Sequence, residues 1–200
     1  MFYTLNMPDI KFYYGSPGFG KTTKAIRMTK ELKDPYLFIY SPIKEETFYD
    51  VLESRNGDCL PLLVKPEFLN GEFFRSKEFV DAKTIVVDEI QNRTLEEIDL
   101  LIEKIDKQNK NGLFFGTLYD CRGNLLKTSH RILEKGIVSE QIPCKCKYCD
   151  NLAFTSLYYN EEKHQIYFTV TEKDMDDPNC KLVQVCRKCL KHVLNDLQAF

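Results

Sequence analysis

Gly15-Ser16-Pro17-Gly18-Phe19-Gly20-Lys21-Thr22 reads G-x-x-x-x-G-K-T, the spacing of a phosphate-binding loop. The run before it, Ile10 to Tyr14, has the composition of a strand. The stretch after it, Lys21 to Lys33, places Ala25, Ile26, Thr29 and Leu32 on one helical face. A strand, a glycine loop and a helix in that order are the context this motif requires. Glycine tolerates backbone angles that a side chain forbids, so Gly15, Gly18 and Gly20 let successive N–H groups turn inward on a polyphosphate at a helix N-terminus. Lys21 then meets the β- and γ-phosphates, and Thr22 offers its hydroxyl to Mg²⁺.

The second half of such a site lies downstream. Thr84 to Val87 is an apolar strand that stops at Asp88-Glu89. An acidic residue at that place holds the Mg²⁺ that Thr22 and the phosphates share. Thr94 and Glu97 form a capping-box pattern, and Leu95, Ile98, Leu101, Ile102 and Ile105 line one face of the helix behind it. Further strands are expected at Tyr36–Tyr40, at Leu60–Val64 (an edge, because of Pro61) and at Leu113–Leu118. Glu72 to Val80 reads as helical. Alternating strands and helices predict an α/β fold of P-loop NTPase type, a mainly parallel sheet flanked by helices. A small C-terminal domain is expected to follow it. The expected boundary falls between 1–141 and 142–200.

Six of the eight cysteines lie after residue 143. Cys146-x-x-Cys149 and Cys186-x-x-Cys189 each place two thiolates on one tight turn, and two such turns suit a closed, structural Zn²⁺ site. A redox C-x-x-C and unrelated buried thiols are the competing readings. Cys144 competes with Cys149 as the partner of Cys146, but the pair Cys146 and Cys149 matches the spacing of the second knuckle. Leu152–Tyr159 and Gln165–Val170 read as a hairpin across a polar turn, and Leu190, Val193, Leu194 and Leu197 as a closing helix. A net charge of −2 argues against a nucleic-acid partner. No run approaches membrane length and no apolar leader opens the chain, so a cytoplasmic location is expected.

The order of these parts resembles the zinc-containing (type II) thymidine kinases. Val87-Asp88-Glu89-Ile90-Gln91, Asp120-Cys121-Arg122-Gly123, Cys146-x-x-Cys149 with Ala153, and Val185-Cys186-Arg187-Lys188-Cys189 carry the resemblance, and Ser54-Arg55-Asn56-Gly57 adds to it. The family moves the γ-phosphate of ATP to the 5′-hydroxyl of thymidine. The resemblance implies that Gly15, Ser16, Gly18, Gly20, Lys21, Thr22, Thr23, Asp88, Gln91 and Arg122 serve ATP and Mg²⁺. It also implies that Glu89 is the general base and that the assembly is a homo-oligomer, commonly a tetramer. The acceptor side departs from the pattern. Pro17 stands for Met, Asn92 and Arg93 for aromatic residues, Cys121 for Phe, Glu45 and Thr47 for Asp and Arg, Asp176-Asp177 for a Gly pair, and Leu182 for Tyr. Aromatic faces grip a nucleobase by stacking, so their loss is expected to weaken thymine binding or change the acceptor nucleoside. Two other functions compete: a P-loop ATPase that turns over without a nucleoside, and a nucleotide-binding protein whose catalysis is altered.

Overall fold

The computed structural model describes residues 9–41, 51–61, 68–120, 124–160, 162–163, 165–167 and 179–198. Arg122, Cys121, Glu45, Thr47, Asp176 and Asp177 lie outside the described residues, as do the ends of two expected strands, 62–64 and 168–170.

Five strands build one parallel sheet: β1 (Ile10–Tyr14), β2 (Tyr36–Tyr40), β5 (Thr84–Asp88), β6 (Asn111–Gly116) and β7 (Val138–Gln141), in the order β2-β5-β6-β1-β7. Successive side chains of a strand point to opposite faces, and here both faces are apolar. Phe12, Leu37, Ile39, Ile85, Val87 and Phe114 point one way, against Ile98, Leu101, Ile102 and Ile105 of α3 (Leu95–Lys107). Their neighbours Tyr13, Phe38, Val86 and Phe115 point the other way, against Ala25 and Ile26 of α1 (Lys21–Glu31). That double cover is why the strands read as continuous apolar runs. Burial of each such Phe is worth roughly 1.5–3 kcal/mol.

Helix ends follow local chemistry. α1 stops two residues before the expected Lys33, because Leu32 turns extended and closes the last turn onto the Thr29 carbonyl. The 72–80 stretch is divided at Ser76, whose hydroxyl accepts the Phe79 N–H and caps α2 (Lys77–Asp81) behind a short 3₁₀ turn, Phe73–Arg75. The Thr94–Glu97 capping box opens α3, although Leu95 remains 38% exposed. β6 sits two residues earlier than its apolar run suggested. It ends at Gly116, whose carbonyl is taken by the Gly15 N–H, while the next N–H, that of Thr117, is taken by the Gln91 side chain.

β3 (Val51–Glu53) and β4 (Cys59–Pro61) form a short ribbon whose Leu52 and Leu60 join the core beside α1. α4 (Lys127–Glu134) and the polar edge strand β7 complete the first layer. The second sheet is antiparallel, in the order β10-β8-β9, from β8 (Thr155–Asn160), β9 (Gln165–Tyr167) and β10 (Cys180–Val185). Leu157, Val183 and Val185 make its small core, with Leu190 of α5 (Arg187–Gln198) packed against them. No helix among the described residues is long and apolar enough to cross a membrane.

Candidate active site

The glycine loop leaves β1 at Gly15 and enters α1 at Gly20. Gly18 and Gly20 hold φ of 83° and 79°, a left-handed conformation that strains any residue with a Cβ. Gly15 must lack a Cβ for a different reason: one built there lies 2.8 Å from the Cβ of Phe19, which is tucked beneath the loop. No side chain caps α1. A helix start leaves its first N–H groups without helical partners, so this end of α1 is arranged to receive an anion.

Four side chains meet above that helix start. Lys21 is buried, and its Nζ lies 3.8 Å from Glu89 Oε1. Thr22 Oγ1 donates to Asp88 Oδ2 at 2.7 Å, and the Glu89 N–H donates to Asp88 Oδ1 at 3.0 Å. Asp88 has no exposed surface. Burial first, and then the neighbouring charge of Glu89, push its carboxyl up to about 7, against the pull of Thr22, Lys21 and the backbone N–H. Glu89 itself sits at φ 56°, ψ 40°. A non-glycine residue held there costs on the order of 1–3 kcal/mol and is characteristic of a functional position. Burial, and then the charges of Asp88 and Glu89, also raise the Tyr40 phenol.

Lys21, Thr22, Tyr40 and Glu89 border a cavity of 730 Å³, while Asp88 lies buried against Thr22. Gly18, Gly20, Lys21, Thr22, Thr23, Glu89 and Gln91 line it, together with residues that motif reading did not assign. Leu182 and Gln184 enter from β10, Thr117 and Leu126 from the segment after β6, and Arg55 and Asn56 from the ribbon turn. That turn is fixed by Gly57 at φ 79° and by Asp58, which accepts from both Nε and NH2 of Arg27 on α1. Its signal in the sequence is Ser54-Arg55-Asn56-Gly57. Gly15 and Ser16 border a separate cleft of 150 Å³, beside Phe154 and Arg187. Arg122 lies outside the described residues.

The second sheet touches the glycine loop directly. Ser156 Oγ donates to the Pro17 carbonyl at 2.6 Å, and a Cβ on Gly18 would lie 2.6 Å from Gln184 Nε2 and 2.8 Å from Leu182 Cδ2. On the opposite wall, Asn92 donates through Nδ2 to the Ser41 carbonyl at 2.7 Å. Arg93, where the resemblance leads one to expect an aromatic, is turned inward. Its Nε donates to Ser41 Oγ at 2.8 Å and its NH1 pairs with Glu97 at 3.2 Å, so it joins the end of β2 to α3.

Cys146, Cys149, Cys186 and Cys189 bring their sulfurs within 4.8 Å of one another, and Cys144 is not in the group. The Cys149–Cys186 and Cys149–Cys189 separations are both 3.6 Å. A tetrahedron with Zn–S bonds of about 2.3 Å has edges of about 3.8 Å, whereas a disulfide needs about 2.05 Å. The backbone N–H of Cys189 holds the Cys186 thiol down to about 6. Burial, and then the crowding of the other sulfurs, push Cys189 up to about 12. Four thiolates so close require a cation to ionise together. The group is therefore compatible with a structural zinc ion. The hard oxygens of Thr22 and Asp88 are the type of donor Mg²⁺ takes.

No curated protein matches the chain. Among solved structures, the N-terminal domain of zonular occludens toxin from Neisseria meningitidis aligns at 14% identity and a TM-score of 0.44, covering 91% of this chain and 96% of that one. The family model for thymidine kinase matches residues 8–190, a span that takes in the glycine loop, Asp88-Glu89 and both cysteine knuckles. With nearly its whole length accounted for in this way, the chain belongs to the thymidine kinase family.

Proposed function

We propose that this protein transfers the γ-phosphate of ATP to the 5′-hydroxyl of thymidine or a related nucleoside, with Glu89 as the general base. Family membership supports a nucleoside kinase-like function that uses ATP and Mg²⁺. The single observation that carries the finer reading is the meeting of Lys21, Thr22 and Glu89 on one cavity wall, with the buried Asp88 hydrogen-bonded to Thr22. The volume of 730 Å³ has room for more than one small ligand.

In this reading the start of α1 and Lys21 hold the phosphates of ATP, assisted by Thr23. Thr22 and Asp88 would hold Mg²⁺, which neutralises charge on the phosphates when bound. Glu89 accepts the proton of the 5′-hydroxyl as that oxygen bonds to the γ-phosphorus. The bond from the γ-phosphorus to the β,γ-bridging oxygen breaks, and ADP leaves with that electron pair. The Lys21 ammonium, close to Glu89 and to the phosphate path, offsets charge that builds between acceptor and donor. The four cysteines would hold Zn²⁺ away from the chemistry. Residues 1–141 are the nucleotide-binding domain in this reading and 142–200 the zinc-binding lasso. Arg122 serves the acceptor or transferring phosphate. The protein is a cytoplasmic homo-oligomer, a tetramer as the resemblance implies.

The test is a phosphoryl-transfer assay with ATP, Mg²⁺ and a panel of deoxy- and ribonucleosides, run beside Glu89→Gln. Transfer to thymidine or another nucleoside, reduced about a thousandfold or more by the substitution, is expected. ATP binding with no transfer to any nucleoside refutes the kinase reading, and transfer that survives Glu89→Gln refutes the base.

A further inference from the structure

We infer that Gln91 acts by positioning Glu89, through a hydrogen-bond relay that starts on the backbone at the end of β6. The inference rests on the reading of Glu89 as base. Gln91 Oε1 accepts the Thr117 N–H at 3.0 Å, and Gln91 Nε2 donates to Glu89 Oε2 at 2.5 Å. A carboxamide is ambiguous in which end is oxygen, but here its neighbours decide. The Thr117 N–H can only donate, so the oxygen must face it, and the NH₂ end must then face the carboxylate. Both ends of the side chain are thereby engaged within the protein.

The relay is built into the fold on both sides. The Thr117 carbonyl accepts from Ser129 Oγ at 2.6 Å, which ties this segment to α4. Gly116 provides the space: a Cβ there would lie 2.7 Å from Gln91 Oε1 and 2.9 Å from Ile90 Cγ2. Glu89 lies in the left-handed region, where its own backbone does not favour it. A carboxylate on such a strained backbone needs a fixed partner if one oxygen is to face the acceptor reproducibly. Gln91 holds Oε2, and the Oε1 atom is the one turned toward Lys21. A hydrogen bond to a charged group contributes enough that its loss changes a rate by roughly ten- to a hundredfold.

The experiment is a double-mutant cycle on the full chain, with single-turnover transfer rates and ATP binding measured separately. Gln91→Met keeps the length of the side chain without donor or acceptor. It is expected to lower the transfer rate about ten- to a hundredfold with ATP affinity unchanged. In the Glu89→Gln background it is expected to add less than about twofold, because a residue that acts through another has nothing left to position. Gly116→Ala displaces the amide without removing it, and should reproduce the rate loss if Gln91→Met folds poorly. A full additional loss in the Glu89→Gln background, weakened ATP binding in Gln91→Met, or an unchanged rate in both variants overturns the inference and leaves the kinase reading standing. A normal rate in Glu89→Gln alone overturns the base, and the inference falls with it.

Discussion

Asp88→Asn should make the magnesium-free protein more stable at pH 8 and catalytically inert. Asp88 is fully buried, and its carboxyl is raised from 3.8 to about 7, with burial as the first cause. The folded state therefore binds a proton that the unfolded chain releases near its ordinary value. Between about 4 and 7 the folded state holds more protons than the unfolded one, so stability falls as pH rises through that window. The full difference of roughly three pH units corresponds to about 4 kcal/mol at most. An asparagine carries no charge to bury and fits the same partners. Its Oδ1 accepts the Glu89 N–H, and its Nδ2 donates to Thr22 Oγ1, where the carboxylate oxygen had accepted. The assay is thermal or urea unfolding of both proteins from pH 4 to 8 in magnesium-free buffer without chelator, which would strip a metal from the four cysteines. The two curves should lie close near pH 4 and separate in favour of Asn toward pH 8, by up to roughly 10 °C in Tm for a chain of this size. A variant less stable than the parent at pH 8, or a gap that does not change with pH, would refute the electrostatic account of this carboxylate.

Gly18→Ala forces a Cβ onto a backbone at φ 83° and against the tips of Gln184 and Leu182. It should cost about 1–2 kcal/mol of stability and weaken ATP binding, measured by calorimetry; unchanged affinity would show that the loop relaxes freely. Metal analysis should find one zinc per chain, and Cys186→Ser should lower both zinc content and Tm, because that sulfur is one of four within 4.8 Å of one another. Full stability without zinc would remove the metal from the structural account.

What could be read from the sequence was local chemistry. The glycine loop, the apolar strand ending at Asp88, the capping box of Thr94 and Glu97 and the two cysteine knuckles each declare themselves over a few residues. β7 escaped because an edge strand of four residues, Val138 to Gln141, with little buried surface has no apolar pattern to display. β10 was hidden between an acidic stretch and a knuckle, although Val183 and Val185 carry its packing. Gln91 could be named as a site residue, but its role depends on Thr117, 26 positions away. Arg93 was visible as a departure from the family pattern. Its inward turn depends on Ser41, 52 positions away.

The contact of the second sheet with the glycine loop has a consequence for divergence. Ser156 holds the Pro17 carbonyl, and Leu182 and Gln184 rest where any side chain on Gly18 would project. Exchanging the C-terminal region between relatives would therefore alter the cavity at the glycine loop even when every loop residue is kept. Residues 17 and 18 must travel with β8 and β10 as one inherited module. Substitutions accepted on β10 would reshape the glycine loop at the same time.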